Sequence, residues 1–166
     1  MPYADSVLPE LDREMANTRK VLERIPDDKL DWKAHPKSHT IGWNASHLAD
    51  ISDWLVHAVA SPELDLAPPG GEASTPPRPT NRQEILEAFD RNVAAAREAI
   101  LRSDEEHMAQ PWTLLYAGKP ILTMARSAVL RQFILNHMIH HRAILCVYLR
   151  LNDVPVPGMY GPSGDE

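Results

Sequence analysis

Apolar residues recur at helical intervals in four stretches of this chain, and few segments alternate as strands do. In the first, from about Ser6 to Ile25, the residues Leu8, Leu11, Met15, Leu22 and Ile25 form a stripe at spacings of 3, 4, 7 and 3. Pro9 is expected in its first turn, where a missing N–H costs little, and Pro26 marks its end. The second runs from about Thr40, as N-cap, to Ala60, with Pro62 beyond it. The third opens at Thr80, where Thr80-x-x-Gln83 fits a capping box, and carries Leu86, Phe89, Val93, Ala96 and Ile100 on one face. The fourth opens at Thr123 and runs to about Leu151, with Leu130, Phe133, His137, His141, Ile144 and Tyr148 along one side.

The connections complete the expectation. Of the 15 prolines, six fall between Pro62 and Pro79, a stretch that excludes helix and inner strand and reads as a long surface crossover. Leu114 to Leu122 reads as a short hairpin turning at Gly118. The tail after Asn152 is rich in Pro and Gly and is expected to be extended. The pattern predicts an all-α fold: a four-helix bundle with a long crossover after helix two and a short hairpin before helix four. Residues 1–166 are read as a single domain of that kind.

Composition narrows the function classes. The chain has 17 Lys and Arg against 23 Asp and Glu, a net charge of −6, which argues against a nucleic-acid partner. No stretch approaches the roughly 20 apolar residues of a membrane span, and the first residues do not resemble a secretory signal. A single cysteine, Cys146, rules out an intrachain disulfide and suits a reducing cytoplasm, the expected location. Any metal must then be held by histidines and carboxylates, and the chain has eight histidines.

His137 and His141 stand at i and i+4 on the fourth helix, about 40° apart, a spacing at which two imidazoles can share one transition metal. The same spacing also suits two histidines hydrogen-bonded within a core. His47 lies mid-way along the second helix, on a stripe with Trp43, Ile51 and Trp54. Alone it reads more readily as a core residue; opposite the pair, it becomes the third ligand. Three neutral imidazoles suit zinc, nickel or iron and leave positions open for water or substrate. His140 is expected as pocket wall or support. His35, His39, His57 and His107 are expected in solvent, as are Asn136 and Arg142, and Asp50 either orients an imidazole or faces water. Cys146 lies about 180° from His137 and so points away from the site.

Three segments together resemble the DinB-like (DinB/YfiT-like) family of metal-binding four-helix bundles. They are Asn136-His137-Met138-Ile139-His140-His141-Arg142; the approach Trp32-Lys33-Ala34-His35-Pro36-Lys37-Ser38 with Ile41-Gly42 and His47-Leu48; and the ending from Tyr148 to Pro162. The resemblance implies that His47, His137 and His141 bind a divalent metal. The family motif often continues with Gly-Gln, where this chain has Ala143 and Ile144. Relatives implied by the resemblance include thiol transferases and isomerases that use a low-molecular-weight thiol, and metal-dependent hydrolases.

The expectation is therefore a metal-dependent enzyme acting on a small molecule, of the thiol-cofactor-dependent transferase or isomerase type. The alternatives are a hydrolase using metal-bound water and a non-enzymatic metal-binding stress-response protein. A homodimer is also expected, because Ala128, Leu135, Ile139 and Cys146 leave the fourth helix apolar on its far side as well.

Overall fold

The four stripes are largely buried in long helices in this computed structural model, which describes residues 2–166. The first helix, α1 (Tyr3–Leu22), starts earlier than its stripe suggested. Pro9 therefore stands about two turns in, not in the first turn, and denies the helix one interior hydrogen bond. The second, α2 (Ile41–Ala60), begins as expected, with Thr40 Oγ1 accepting from the Trp43 N–H at 3.1 Å. The third, α3 (Arg82–Leu101), begins later than expected. Asn81, not Thr80, is its N-cap, accepting from the Glu84 N–H, while the Glu84 carboxylate reaches back to the Thr80 N–H at 2.9 Å. Gln83 instead hydrogen-bonds Glu87 along the helix surface.

The all-α expectation fails in one region. A three-stranded sheet forms from β1 (Glu63–Asp65), β2 (Pro111–Tyr116) and β3 (Lys119–Ala125), in the order β1-β2-β3. β2 and β3 are the expected hairpin, longer than foreseen; its turn residues Ala117 and Gly118 have φ of 52° and 73°. Two consecutive positive φ values suit a tight hairpin turn, and glycine takes the second without strain. β1 comes from the proline-rich connection and pairs in parallel with β2, at an edge where prolines are tolerated. A short helix, α4 (Glu105–Ala109), precedes the hairpin.

Thr123, expected to open the last helix, lies in β3 instead. The chain passes from β3 through one turn, α5 (Arg126–Ala128), and a π-helical stretch Val129–Leu135 into α6 (Asn136–Arg150). Arg126 is buried, and its Nη1 donates to the carbonyls of Ala58 (2.5 Å) and Ser61 (2.6 Å), closing the C-terminal end of α2. A cation there meets unpaired carbonyls and the negative end of the helix dipole.

Helix directions follow from side-chain pairs. Arg19 binds Asp90 and Arg97 binds Asp12, so α1 and α3 are antiparallel. Glu10 meets Arg131 and Glu14 meets Arg142, so α1 runs with the last helix. Asn44 meets His141 and Trp54 meets Phe133, so α2 runs against α6. Ser46 lies near Ile85 and Ala60 near Arg102, so α2 and α3 are parallel neighbours, an arrangement that demands the long crossover between them. Among the described residues, no helix is long and apolar enough to cross a membrane.

The far side of the last helix is not what its sequence suggested. Leu135, Met138, Arg142, Leu145 and Leu149 are buried and form its central core stripe. The histidine stripe is one flank of this core. The residues exposed to solvent are Asn136, His140, Ala143, Val147 and Arg150. Leu135, expected on an outer dimer face, is fully enclosed by its own chain, and Ile139 and Cys146 are half-buried. Of the four residues expected on an outer face, Leu135 therefore belongs to the core of its own chain, while Ala128, Ile139 and Cys146 stay half-buried.

Arg142 is the second correction on this helix. It is not solvated but buried, donating to Glu14 Oε2 (2.7 Å), to the Glu14 carbonyl (3.0 Å) and to Tyr160 Oη (2.6 Å). Tyr160 in turn donates to Glu14 Oε2 at 2.8 Å, which ties the C-terminal tail to α1 and α6.

Candidate metal centre

The pairing of α2 against α6 brings His47 opposite His137 and His141. Their Nε2 atoms converge: 3.4 Å from His47 to His137, and 3.1 Å from His141 to His137. Two nitrogens bound tetrahedrally to one zinc at 2.0–2.1 Å are about 3.3 Å apart. Among the described residues, these three are the group of His, Cys, Asp and Glu side chains whose ligand atoms come close enough to hold one metal ion.

The outer nitrogens show how the rings are oriented. His141 Nδ1 lies 2.9 Å from Asn44 Oδ1, which accepts its N–H and leaves the Nε2 lone pair facing inward. Asn44 is held by donating from Nδ2 to the Thr40 carbonyl at 2.8 Å. The Nδ1 atoms of His47 and His137 are buried without a hydrogen-bond partner. Asp50 Oδ2 stands 3.9 Å from His47 Nδ1, one turn along α2.

Burial and crowding keep the cluster neutral. Desolvation, then the His141, His137 and His39 imidazoles, lower His47 to a pKa of about 3. Desolvation, then His137, His140 and His39, lower His141 to about 4. His137 is lowered too, by desolvation first and His140 second. Three neutral imidazoles repel one another less than three cations would, and each can turn an Nε2 lone pair toward a shared cation. The donor set fits a divalent transition metal.

Aromatic rings surround the histidines. Trp43 lies 4.6 Å from the His47 ring, and Trp54 lies 5.6 Å from His47 and 5.8 Å from His137. Phe133, on the π-helical stretch, sits 5.6 Å from His137 and stacks on Trp54. Outside them, exposed His39 stacks on Trp43 at 3.5 Å, and exposed His140 meets His141 edge-on at 5.0 Å.

The remaining expectations divide. His35 is exposed and accepts from the Lys37 N–H, and exposed Asn136 accepts from Arg131, as solvated residues do. His57 is half-buried and faces Asp53 at 3.4 Å. His107 is half-buried rather than solvated, and its Nε2 lies 2.7 Å from the Val59 carbonyl. Cys146 is not in the site, and burial pushes its thiol up, away from the reactive thiolate. Sequence reasoning missed Asn44. The available signal was an amide three residues before His47 within an otherwise apolar helical run.

The fold and the converging imidazoles define a mostly helical bundle with a three-histidine site that could hold a metal ion. The chain belongs to the DinB superfamily, whose family model matches residues 10–145. It is 25% identical over 162 residues to the uncharacterized protein YrdA of Bacillus subtilis (strain 168), covering 98% of this chain and 90% of that one. Among solved structures, a DinB-like protein from Bacillus cereus ATCC 10987 superposes with a TM-score of 0.72 at 22% identity, covering 92% of this chain and 95% of that one. The DinB-like protein YjoA from Bacillus subtilis gives 0.66 at 14% identity, covering 90% and 96%. These structural likenesses establish the fold.

Proposed function

We propose that His47, His137 and His141 hold one divalent transition metal (zinc, nickel or iron) through Nε2, and that the loaded protein is an enzyme acting on a small molecule with the help of a low-molecular-weight thiol. The observation that carries this reading is the convergence of three neutral Nε2 atoms with no fourth His, Cys, Asp or Glu donor beside them among the described residues. A closed structural site normally has four protein ligands, whereas a reactive one keeps a position open.

When bound, the metal supplies positive charge that favours a thiolate over a thiol, or lowers the pKa of a water ligand. The chain's residues do the rest. Asn44 sets the His141 tautomer. Trp43, Trp54 and Phe133 give the site apolar walls that keep water from its sides and suit an apolar acceptor. Cys146 lies elsewhere, so the sulfur nucleophile comes from a small molecule. The thiol proton passes to water or to the leaving group, the sulfur forms the new bond to an electrophilic carbon, and the leaving group departs with the electron pair of the broken bond.

The test is elemental analysis of the purified protein, followed by incubation of the loaded form with small thiols and a panel of electrophiles. Thioether formation that depends on both metal and thiol supports the proposal. Alanine at His47, His137 or His141 is expected to remove most of the metal, and full occupancy in the triple variant refutes the site. Turnover of an ester or amide without added thiol favours the hydrolase instead.

A further inference from the structure

His47 differs from its partner His141 in one respect. The Nδ1 of His141 has a hydrogen-bond acceptor, whereas the Nδ1 of His47, on a side chain only 8% exposed, has none. A buried N–H without an acceptor is costly, and a ring with no acceptor has no fixed tautomer. The nearest acidic group is Asp50, whose Oδ2 is 3.9 Å away, on the same helix at i+3. Its side chain is 23% exposed, borders a cavity of about 370 Å³ between α2 and α3, and accepts from the Trp54 indole one turn further on, which leaves a second carboxylate oxygen for His47. Asp53, one turn further on, faces His57 at 3.4 Å and does not compete for His47.

We propose that Asp50 is a positioning residue for the metal site: its carboxylate accepts the His47 Nδ1–H, fixes the proton on that nitrogen and directs the Nε2 lone pair at the metal. This rests on the three-histidine reading above. A carboxylate behind a ligating imidazole also makes that imidazole a stronger donor and offsets part of the metal's charge. The two flanking ligands are then supported differently, His141 by a neutral amide and His47 by a carboxylate, both from α2.

The experiment titrates the metal-free protein with cobalt(II) and records affinity and the visible absorption spectrum. D50N is expected to weaken cobalt binding about 10–100-fold and to shift the spectrum, because the donor strength of one ligand changes. D50E is expected to recover part of both, since it restores the negative charge at a slightly different reach. D53N, which removes the same charge one turn away, is expected to bind as the native protein does. Circular dichroism and melting of each variant show whether the helices are intact. An unchanged affinity and spectrum in folded D50N overturns the inference, as does an equal loss in D53N, which would reflect the general field of the helix. If D50N does not fold, D50E decides: a native spectrum and affinity support the role of the carboxylate, and a loss like that of H47A argues for a purely structural one. If the native protein binds no cobalt, the three-histidine reading itself fails, an outcome distinct from all of these.

Discussion

Asn44 shows how one amide can decide the chemistry of a neighbouring ring. Its Oδ1 holds the His141 Nδ1–H while its own Nδ2 is tied to the Thr40 carbonyl, so its orientation is determined from both sides. Asn44→Ala is expected to weaken metal binding about 10–100-fold. It should also cost about 1–3 kcal/mol of stability, because a buried N–H loses its acceptor; metal titration and denaturant melts read the two effects separately. The pair Glu14 and Arg142 makes a different case. Both are buried, so removing one partner strands the other's charge. Glu14→Ala is expected to destabilise by about 3–5 kcal/mol, and Glu14→Leu with Arg142→Met to recover much of that loss in urea unfolding. Tyr160 is mostly exposed yet hydrogen-bonds both charges, so Tyr160→Phe should cost far less. Of these residues, the sequence pointed to the histidines through their spacing. It misread Arg142 as a solvated flank, because an arginine beside a histidine carries no signal of a carboxylate more than a hundred residues away.

At the scale of elements, the ends of the helices were the most legible where one side chain closes one backbone group. Thr40 is such a case, and Thr40→Ala is expected to cost about 1 kcal/mol in thermal unfolding. At α3 the same reasoning landed one residue early, since Thr80, Asn81 and Glu84 can all satisfy a first-turn N–H and only the geometry chooses. The hairpin was visible in Gly118, but Ala117 also has positive φ, which alanine adopts at a cost. Ala117→Gly is therefore expected to be neutral or slightly stabilising by melting, against the general rule that glycine loosens a chain. β1 was invisible: three residues amid prolines have no strand pattern, and they become a strand only because β2 offers a free edge. The π-helical turn before α6 likewise has no motif of its own.

For the whole molecule, the buried imidazoles make stability depend on pH. In the metal-free chain His47 is held at about 3 and His141 at about 4, below the roughly 6.5 of an unfolded histidine. Above pH ~6.5 both states are neutral there and the folded chain keeps its full stability. As pH falls below that value, the unfolded chain takes up protons that the folded one refuses, so stability is expected to drop progressively toward pH about 3–4. Added zinc should raise the melting temperature at pH 7 and still at pH 5, where folded His47 and His141 remain neutral, and lose that effect only as pH falls toward about 3–4. A chelator should reverse it. Differential scanning calorimetry across pH, with and without metal, checks both trends. The sequence by itself determined that four amphipathic helices would form, that a long crossover would join the second to the third, and that His137 and His141 would share a face, since each follows from local spacing and from where proline is barred. Only the tertiary structure decided that His47 meets that pair, that Asn44 supports it, that Arg142 turns inward to Glu14 and that Leu135 faces the core. Those outcomes depend on which flank of one helix meets which neighbour, and a repeat of 3.6 residues says how wide an apolar face is without saying what will cover it.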